Sequence, residues 1–547
     1  MKNQVIKFIL FLSLFSSACN DEILDIQPTD QLTDATVWSN AANAGLFLND
    51  IYNSLNPGPQ STVFTNLPSE ISNDPLDNFS DNSIGGSLAG IPSYVNFASG
   101  SYGPSTPIFP GHWDSMYKAI RKCNVFIENV SPADYDANVK KSYIAQARFL
   151  RAYFYKQLMN LYGGVPIITK SLNQSEDGES IFQARNSYEE CVAFLQTECE
   201  EAATDLPLKV TAAEAGRVTK GAALALKGEA ELYASKWEDA AATNLKIINL
   251  GAGYDLFADY AGLFYVANEN NKEVIFDIQY AANVKPEVKE GYWNPVKTTD
   301  GTSFGSVNPT QDMVDTYEFL DGKTEAEGSA LFDPSNPYAN RDKRFAASII
   351  YDGATWKGGV INTRLGIANN RNQLDESGSG GGTRTGYWLG KIIDPSIVPR
   401  VSAGQNSIIW RYADVLLNYA EAKNENTGPD QSIYDAINKL RTRGGLPNLT
   451  TGLTQDQMRE KIRRERRVEL FFEGKRLFDL WRWRIAEDVF SKPLSAMKIT
   501  VVAGKLVYQK QPAGGAKVTF DKSKNYLMPI PAAVIAQNPK ITQNPGY

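Results

Sequence analysis

The stretch Lys220–Leu250 constrains the fold most, because its pattern suits only two helices packed against each other. Ala223, Leu226, Ala230 and Tyr233 recur at three- and four-residue spacing and line one helix face. Ser235-Lys236 turns the chain, and Trp237-Glu238-Asp239-Ala240 opens a second helix carrying Ala241, Leu245 and Ile248. Small alanines at crossing points let two helix axes approach closely, with aromatic rings filling the space beside them. Tetratricopeptide-like pairs pack in this way. A second pair spans Tyr412–Glu425 and Ser432–Arg443. The spacing between pairs is irregular, so a degenerate helical array is expected rather than a uniform solenoid.

Other segments extend the frame. Ala41–Leu55 and His112–Val130 carry helical periodicity. Ile144, Ala147, Leu150, Phe154, Leu158 and Leu161 form one apolar stripe, which Gly163-Gly164 and Pro166 terminate. Residues 56–111 interrupt the helices with an insertion rich in Pro, Gly, Ser, Asn and Asp. A stretch of that length without clear periodicity is more often functional than disordered in a compact protein. Residues 255–405 change character again: Glu273–Ile278 reads as a strand, followed by Gly-, Asn- and Tyr-rich loops that include the tract Ser377–Gly382. The expected fold is mainly α. Tetratricopeptide-like helical pairs form a superhelical frame, and a loop-rich lobe with a few short strands rests on it. The divisions are a signal peptide at 1–18, a tether at 19–40, an N-terminal helical part at 41–254, the lobe at 255–405 and a C-terminal helical part at 406–547.

The N-terminus reads as an export signal. Lys2 and Lys7 precede the apolar run Phe8–Phe15, and the small residues Ser16-Ser17-Ala18 lead into Cys19. The run is far short of the roughly 18 apolar residues a retained membrane span needs. Small residues directly before a cysteine resemble the bacterial lipobox, although Ser16 stands where the strict pattern has Leu. Cys19 is therefore the expected lipidation site, and its acyl chains would hold the protein on a membrane without a spanning helix. Asn20-Asp21-Glu22 resembles the acidic tag of surface-exposed lipoproteins of the Bacteroidota.

Composition excludes several function classes. A net charge of −7 and a pI near 5.2 argue against nucleic acid as the main partner. His112 is the one histidine, so a multi-histidine zinc site is excluded and a Ser-His or Cys-His catalyst would rest on it alone. It reads as structural or surface. No phosphate-binding, zinc-protease or nucleophile-elbow motif is present, and neither a cofactor nor a metal is expected. Cys191 and Cys199 fall on one helix about 12 Å apart, too far for a disulfide. Cys123 could pair with one of them, but all three read best as buried thiols. The segment Arg459–Arg484 holds ten basic and five acidic residues, with Glu460–Arg464, Arg466–Glu469 and Glu473–Arg476 spaced for pairing. Leu470, Leu477 and Trp481 form an apolar stripe, so the segment reads as a buried structural helix whose arginines hold carbonyls and carboxylates.

Three segments, in order, resemble the SusD/RagB family of outer-membrane nutrient-uptake lipoproteins. They are Arg411–Ala422 (RYADVLLNYAEA) continuing through Ile437–Pro447, Ile462–Leu470 (IRRERRVEL) continuing through Trp483, and Tyr526–Pro531 with Asn538-Pro539 and the terminal Asn544-Pro545-Gly546-Tyr547. With the lipidated start and Asn124, the resemblance covers nearly the whole chain. It implies a non-enzymatic lid that captures a glycan, and in some members a peptide, over a TonB-dependent transporter of the SusC type in the outer membrane. A surface glycosidase is the remote alternative. Sugar binding calls for aromatic faces against the pyranose ring and Asp, Asn or Arg for its hydroxyls. The insertion offers Asn73, Asp74, Asp77, Asn78 and Tyr94; the lobe offers Tyr292, Trp293, Asn294, Trp356, Tyr387 and Trp388. Among these Trp293 is the leading candidate.

Overall fold

The computed structural model describes residues 34–55, 76–86, 92–284, 289, 292–376, 381–399, 401, 403–514 and 517–547. The signal segment, Cys19, Asn73, Asp74 and most of the tract 377–382 lie outside them. Helices dominate, and each frame helix packs on the next. His112–Val130 lies against Ala137–Tyr162, then Tyr188–Asp205, Lys220–Tyr233 and Trp237–Ile248 follow in turn. Trp237–Ile248 next packs directly on Tyr412–Thr427, which in turn holds Gln431–Gly444 and Gln455–Glu469. The array is therefore continuous in space, although more than 150 residues separate two of its neighbours in sequence. The intervening chain is the lobe.

Local chemistry sets the helix limits. Ser187 and Glu190 form a capping box at Tyr188–Asp205, Asp136 accepts from the amides of Asn138 and Val139, and Thr219 accepts from Ala222. Ala137–Tyr162 ends at Gly163, whose φ of 74° favours glycine. The next residue, Gly164, has no room for a side chain, since a Cβ would lie 2.2 Å from the Asn186 carbonyl oxygen. Close crossing also explains Gly228, where a Cβ would lie 2.7 Å from Asn244 of the partner helix. Lys220–Tyr233 is buried almost all round, and its polar groups are paired accordingly. Glu229 on Lys220–Tyr233 takes Lys156, Lys475 at 2.6 Å and the Trp410 indole N–H at 3.1 Å. That one carboxylate ties four distant segments together.

The lobe opens and closes on a pair of antiparallel strands, Val274–Ile278 and Ser407–Arg411, with Val274 opposite Arg411. The remaining sheets are also two-stranded. Ser83–Gly85 pairs with Val307–Pro309, Ile349–Ile350 with Trp388–Leu389, and Ser495–Val502 with Lys505–Pro512. That last hairpin was not legible in the sequence; Met497 and Ile499 carry it into the lobe core beside Val307, Tyr317, Phe345, Tyr387 and Phe471. The insertion is less loop-like than expected, since it contains the short turn Leu76–Phe79 and the helix Pro92–Ser99.

The arginine-rich segment is two helices, Gln455–Glu469 and Arg476–Arg482, rather than one. They are separated at Phe472 and Gly474, with φ of 63° and 71°. The expected local pairs give way to long-range ones. Arg464 reaches Glu318 at 3.0 Å, Arg466 reaches Asp479 at 2.8 Å and Arg476 reaches Asp81 at 2.8 Å. Glu460 is exposed, whereas Glu469 and Glu473 are buried and already taken by Arg411, so Arg464, Arg466 and Arg476 pair with other buried carboxylates. The structural reading of the segment holds. At its centre Glu469 accepts from Arg411 at 2.6 Å, Arg344 at 2.8 Å and Arg443, while Glu273 and Glu473 take the remaining donors of Arg411 at 2.6 Å each. Burial alone would raise the Glu469 pKa, but Arg443, Arg411 and Arg344 together hold it well below the usual carboxylate range. Glu465, one turn earlier, is shifted the other way, because burial outweighs Arg344 and Arg441.

The terminal segment packs against the frame helix Ala137–Tyr162. Asn544 donates to the Tyr162 and Met528 carbonyls at 3.1 and 2.8 Å and accepts from Arg185 at 2.9 Å. Cys123, Cys191 and Cys199 are buried free thiols.

Candidate functional site

The two loop regions singled out in the sequence do meet. The strand pair Ser83–Gly85 and Val307–Pro309 joins insertion to lobe, and Asn78 donates to the Ser306 carbonyl at 3.3 Å. Ser306 in turn donates to the Tyr292 carbonyl from both its amide and its hydroxyl, each at 2.8 Å. The backbone bearing Tyr292 and Trp293 is thereby fixed from beneath.

Within this junction the predicted residues divide by burial. Tyr292, Trp293 and Trp356 are half-buried and present part of their surface to solvent. Tyr292 stacks on Phe304 at 4.9 Å, and Trp293 meets Phe472 edge-on at 5.4 Å. Trp356 sits in the hairpin Thr355–Trp356 and Gly359–Val360, packed against Val296, Ile350 and Ile361. Its indole N–H has no hydrogen-bond partner among the described residues.

Asp77, Asn78, Tyr94, Asn294 and Trp388 are instead buried. Tyr387 is buried too. Sequence could not separate these groups, because an Asp or Trp in a loop looks the same whether it faces in or out. Their roles are supporting. Asp77 accepts from the amides of Phe472 and Gly474 at 3.0 and 3.1 Å and from Asn82 at 2.8 Å. It thus pins the positive-φ turn whose Phe472 ring backs Trp293. Burial raises the Asp77 pKa, with Asn82 and the two amides offsetting part of the shift. Trp388 lies under Gly305, where a Cβ would fall 2.4 Å from the indole. Tyr94 packs beneath Arg384 at 5.9 Å.

Sequence reasoning missed the clamp that holds the insertion in place. Asp81 pairs with Arg467 at 2.9 Å and with Arg476 at 2.8 Å. Burial disfavours the Asp81 carboxylate, yet the two arginines hold its pKa well below the ordinary range. No local signal could have found it, because the partners lie 386 and 395 residues apart in sequence. Among the described residues no group of three or more His, Cys, Asp or Glu side chains could hold a metal ion. No described helix is long and apolar enough to cross a membrane. The junction thus carries half-buried aromatic side chains that rest on Phe304 and Phe472.

Frame and lobe together define a mainly helical, tetratricopeptide-like class in which a long excursion from the array carries half-exposed aromatic side chains. Sequence models give that class its family: the SusD family matches residues 264–547, and "Starch-binding associating with outer membrane" matches residues 24–229. The chain belongs to the SusD/RagB family. It is similar to SusD-like protein P2 of Formosa agariphila, 25% identical with all of both chains covered. It also resembles the solved structure of a SusD-like carbohydrate-binding protein from Bacteroides fragilis, with 28% identity and a TM-score of 0.80 over 93% of this chain and 100% of that one. A second SusD-like structure from the same species matches at 28% identity and TM-score 0.80, over 95% of this chain and 100% of that one.

Proposed function

We propose that this protein captures oligosaccharide or polysaccharide at the cell surface and delivers it, as a hinged lid, to a TonB-dependent transporter of the SusC type. The observation that carries the reading is the pair Tyr292 and Trp293, half-exposed at the junction of insertion and lobe and held from behind by Phe304 and Phe472. Rigid aromatic surface of this kind binds the apolar face of a sugar at little entropic cost. Membership of a family with a carbohydrate-binding relative supports the ligand class. Lipid on Cys19 would tether the chain to the outer membrane facing outward. Binding and release complete this role without a chemical step.

The test uses the soluble chain lacking residues 1–19. A glycan array names the ligand, and calorimetry then compares wild type with Trp293→Ala. Affinity should fall at least about tenfold, as for a central aromatic anchor. Unchanged affinity would remove Trp293 from the site. Co-purification of the full-length chain with an outer-membrane transporter, lost in Cys19→Ala cells or not, addresses the lid and the anchor separately.

A further inference from the structure

A different group of aromatic side chains on the lobe is not used by the site above. Tyr338 is buried and locked, its hydroxyl 3.2 Å from that of Tyr387, which donates to Gln311 at 2.5 Å. Two half-buried rings flank it: Tyr351 at 4.6 Å and 39°, and Tyr508 at 5.7 Å and 86°. Tyr351 also stacks on Phe345 at 5.1 Å, so both outer rings are supported from the core side. Neither outer hydroxyl has a hydrogen-bond partner among the described residues.

A charged pair adjoins these rings. Asp352, 5% exposed, accepts from the Thr363 amide at 3.0 Å and from Arg364 Nε at 2.8 Å. The Arg364 side chain is 31% exposed, and its Nη groups have no protein partner among the described residues. The next residue, Leu365, donates its amide to Ile499, the cross-strand neighbour of Tyr508. Asp352 directly follows Tyr351 in the chain, so the pair is tied to both outer rings by the backbone.

A guanidinium anchored through Nε and open at both Nη atoms is a planar, pre-oriented donor fork. Beside it stand two ring surfaces and two open hydroxyls. We propose that Tyr351, Tyr508 and Arg364 form a second sugar-binding surface, which takes a neutral pyranose ring. The ring C–H face meets the tyrosines, and Arg364 donates to vicinal hydroxyls. Asp352 already neutralises Arg364, so an acidic sugar gains little there. The proposal shares with the preceding reading only that the ligand is a saccharide.

Saturation-transfer NMR with methyl glycosides of glucose, mannose, galactose and xylose, and with galacturonate, tests it on the chain lacking residues 1–19. At least one neutral glycoside should show saturation transfer that falls about fivefold or more in Tyr508→Ala and in Arg364→Ala. Tyr508→Phe should keep most of it, since the stacking face remains. Trp293→Ala in the same experiment reports the other site: loss there alone overturns this proposal, whereas loss in the Tyr508 and Arg364 variants alone overturns the Trp293 assignment and leaves this one standing. No transfer from any neutral glycoside, or stronger transfer from galacturonate, also overturns it. Unchanged thermal midpoints for the variants exclude misfolding as the cause.

Discussion

His112 is the chain's one imidazole, so its ionisation can be followed without assignment. It opens the helix His112–Val130, is 4% exposed, and lies with Nε2 3.4 Å from the Gln157 carbonyl. Burial penalises the imidazolium and pushes the pKa from 6.5 down to about 4, with the Gln157 carbonyl offsetting only part. The folded value lies below the unfolded one, so the unfolded chain takes up this proton first as the solution is acidified. Stability from this group is complete above pH 6.5 and is lost as pH falls from 6.5 towards 4. At roughly 1.4 kcal/mol per pH unit the whole interval is worth about 3 kcal/mol, and about 2 kcal/mol of that is lost by pH 5. Two assays check this. Imidazole-labelled protein should give one cross-peak that holds its neutral position down to about pH 5. Between pH 7.5 and 5, urea unfolding should show wild type losing about 2 kcal/mol more than His112→Gln. A titration midpoint near 6.5, or equal losses for the two proteins, would refute the reasoning.

Other expectations follow from burial in the same way. Glu469→Gln should cost about 3–5 kcal/mol in urea unfolding, because it removes the one buried negative charge that Arg411, Arg344 and Arg443 share. Asp50→Asn, which breaks the exposed 2.7 Å pair with Lys122, should cost less than about 1 kcal/mol. Asp77→Ala leaves the buried amide of Phe472 and the part-buried amide of Gly474 unpaired; at about 1–3 kcal/mol for the buried group, it should lower the urea midpoint below that of Asp50→Asn. Cys123, Cys191 and Cys199 should resist a thiol reagent in native buffer and react in urea, since burial pushes all three thiols up.

The frame was legible because helical periodicity is a local property. His112–Val130 matches its predicted limits, and the pairs at Lys220–Tyr233 with Trp237–Ile248 and Tyr412–Thr427 with Gln431–Gly444 fall where small residues and turn signals placed them. Long-range pairing was not legible. Nothing near Arg467 in sequence indicates Asn82 or Asp81 as its partners, some 385 residues away. The hairpin Ser495–Pro512 escaped for a related reason, as its inward residues are defined by a lobe core assembled from elsewhere. In the candidate site the residue types were readable, but the direction each side chain faces depends on contacts such as Asp77 with Phe472, which join segments 395 residues apart.

The cluster around Glu469 also bears on how the chain reaches its native state. Arg411 meets Glu273 across 138 residues and Arg344 meets Glu469 across 125, so no short stretch of the nascent polypeptide can balance these charges alone. Any intermediate that buried part of the set would hold an unneutralised ion away from water, at a cost of several kcal/mol. Such intermediates are disfavoured, and the ions stay hydrated until all the contributing segments have converged. In the native state each ion of the cluster depends on partners from distant segments, so displacing any one segment leaves charge unbalanced in the interior.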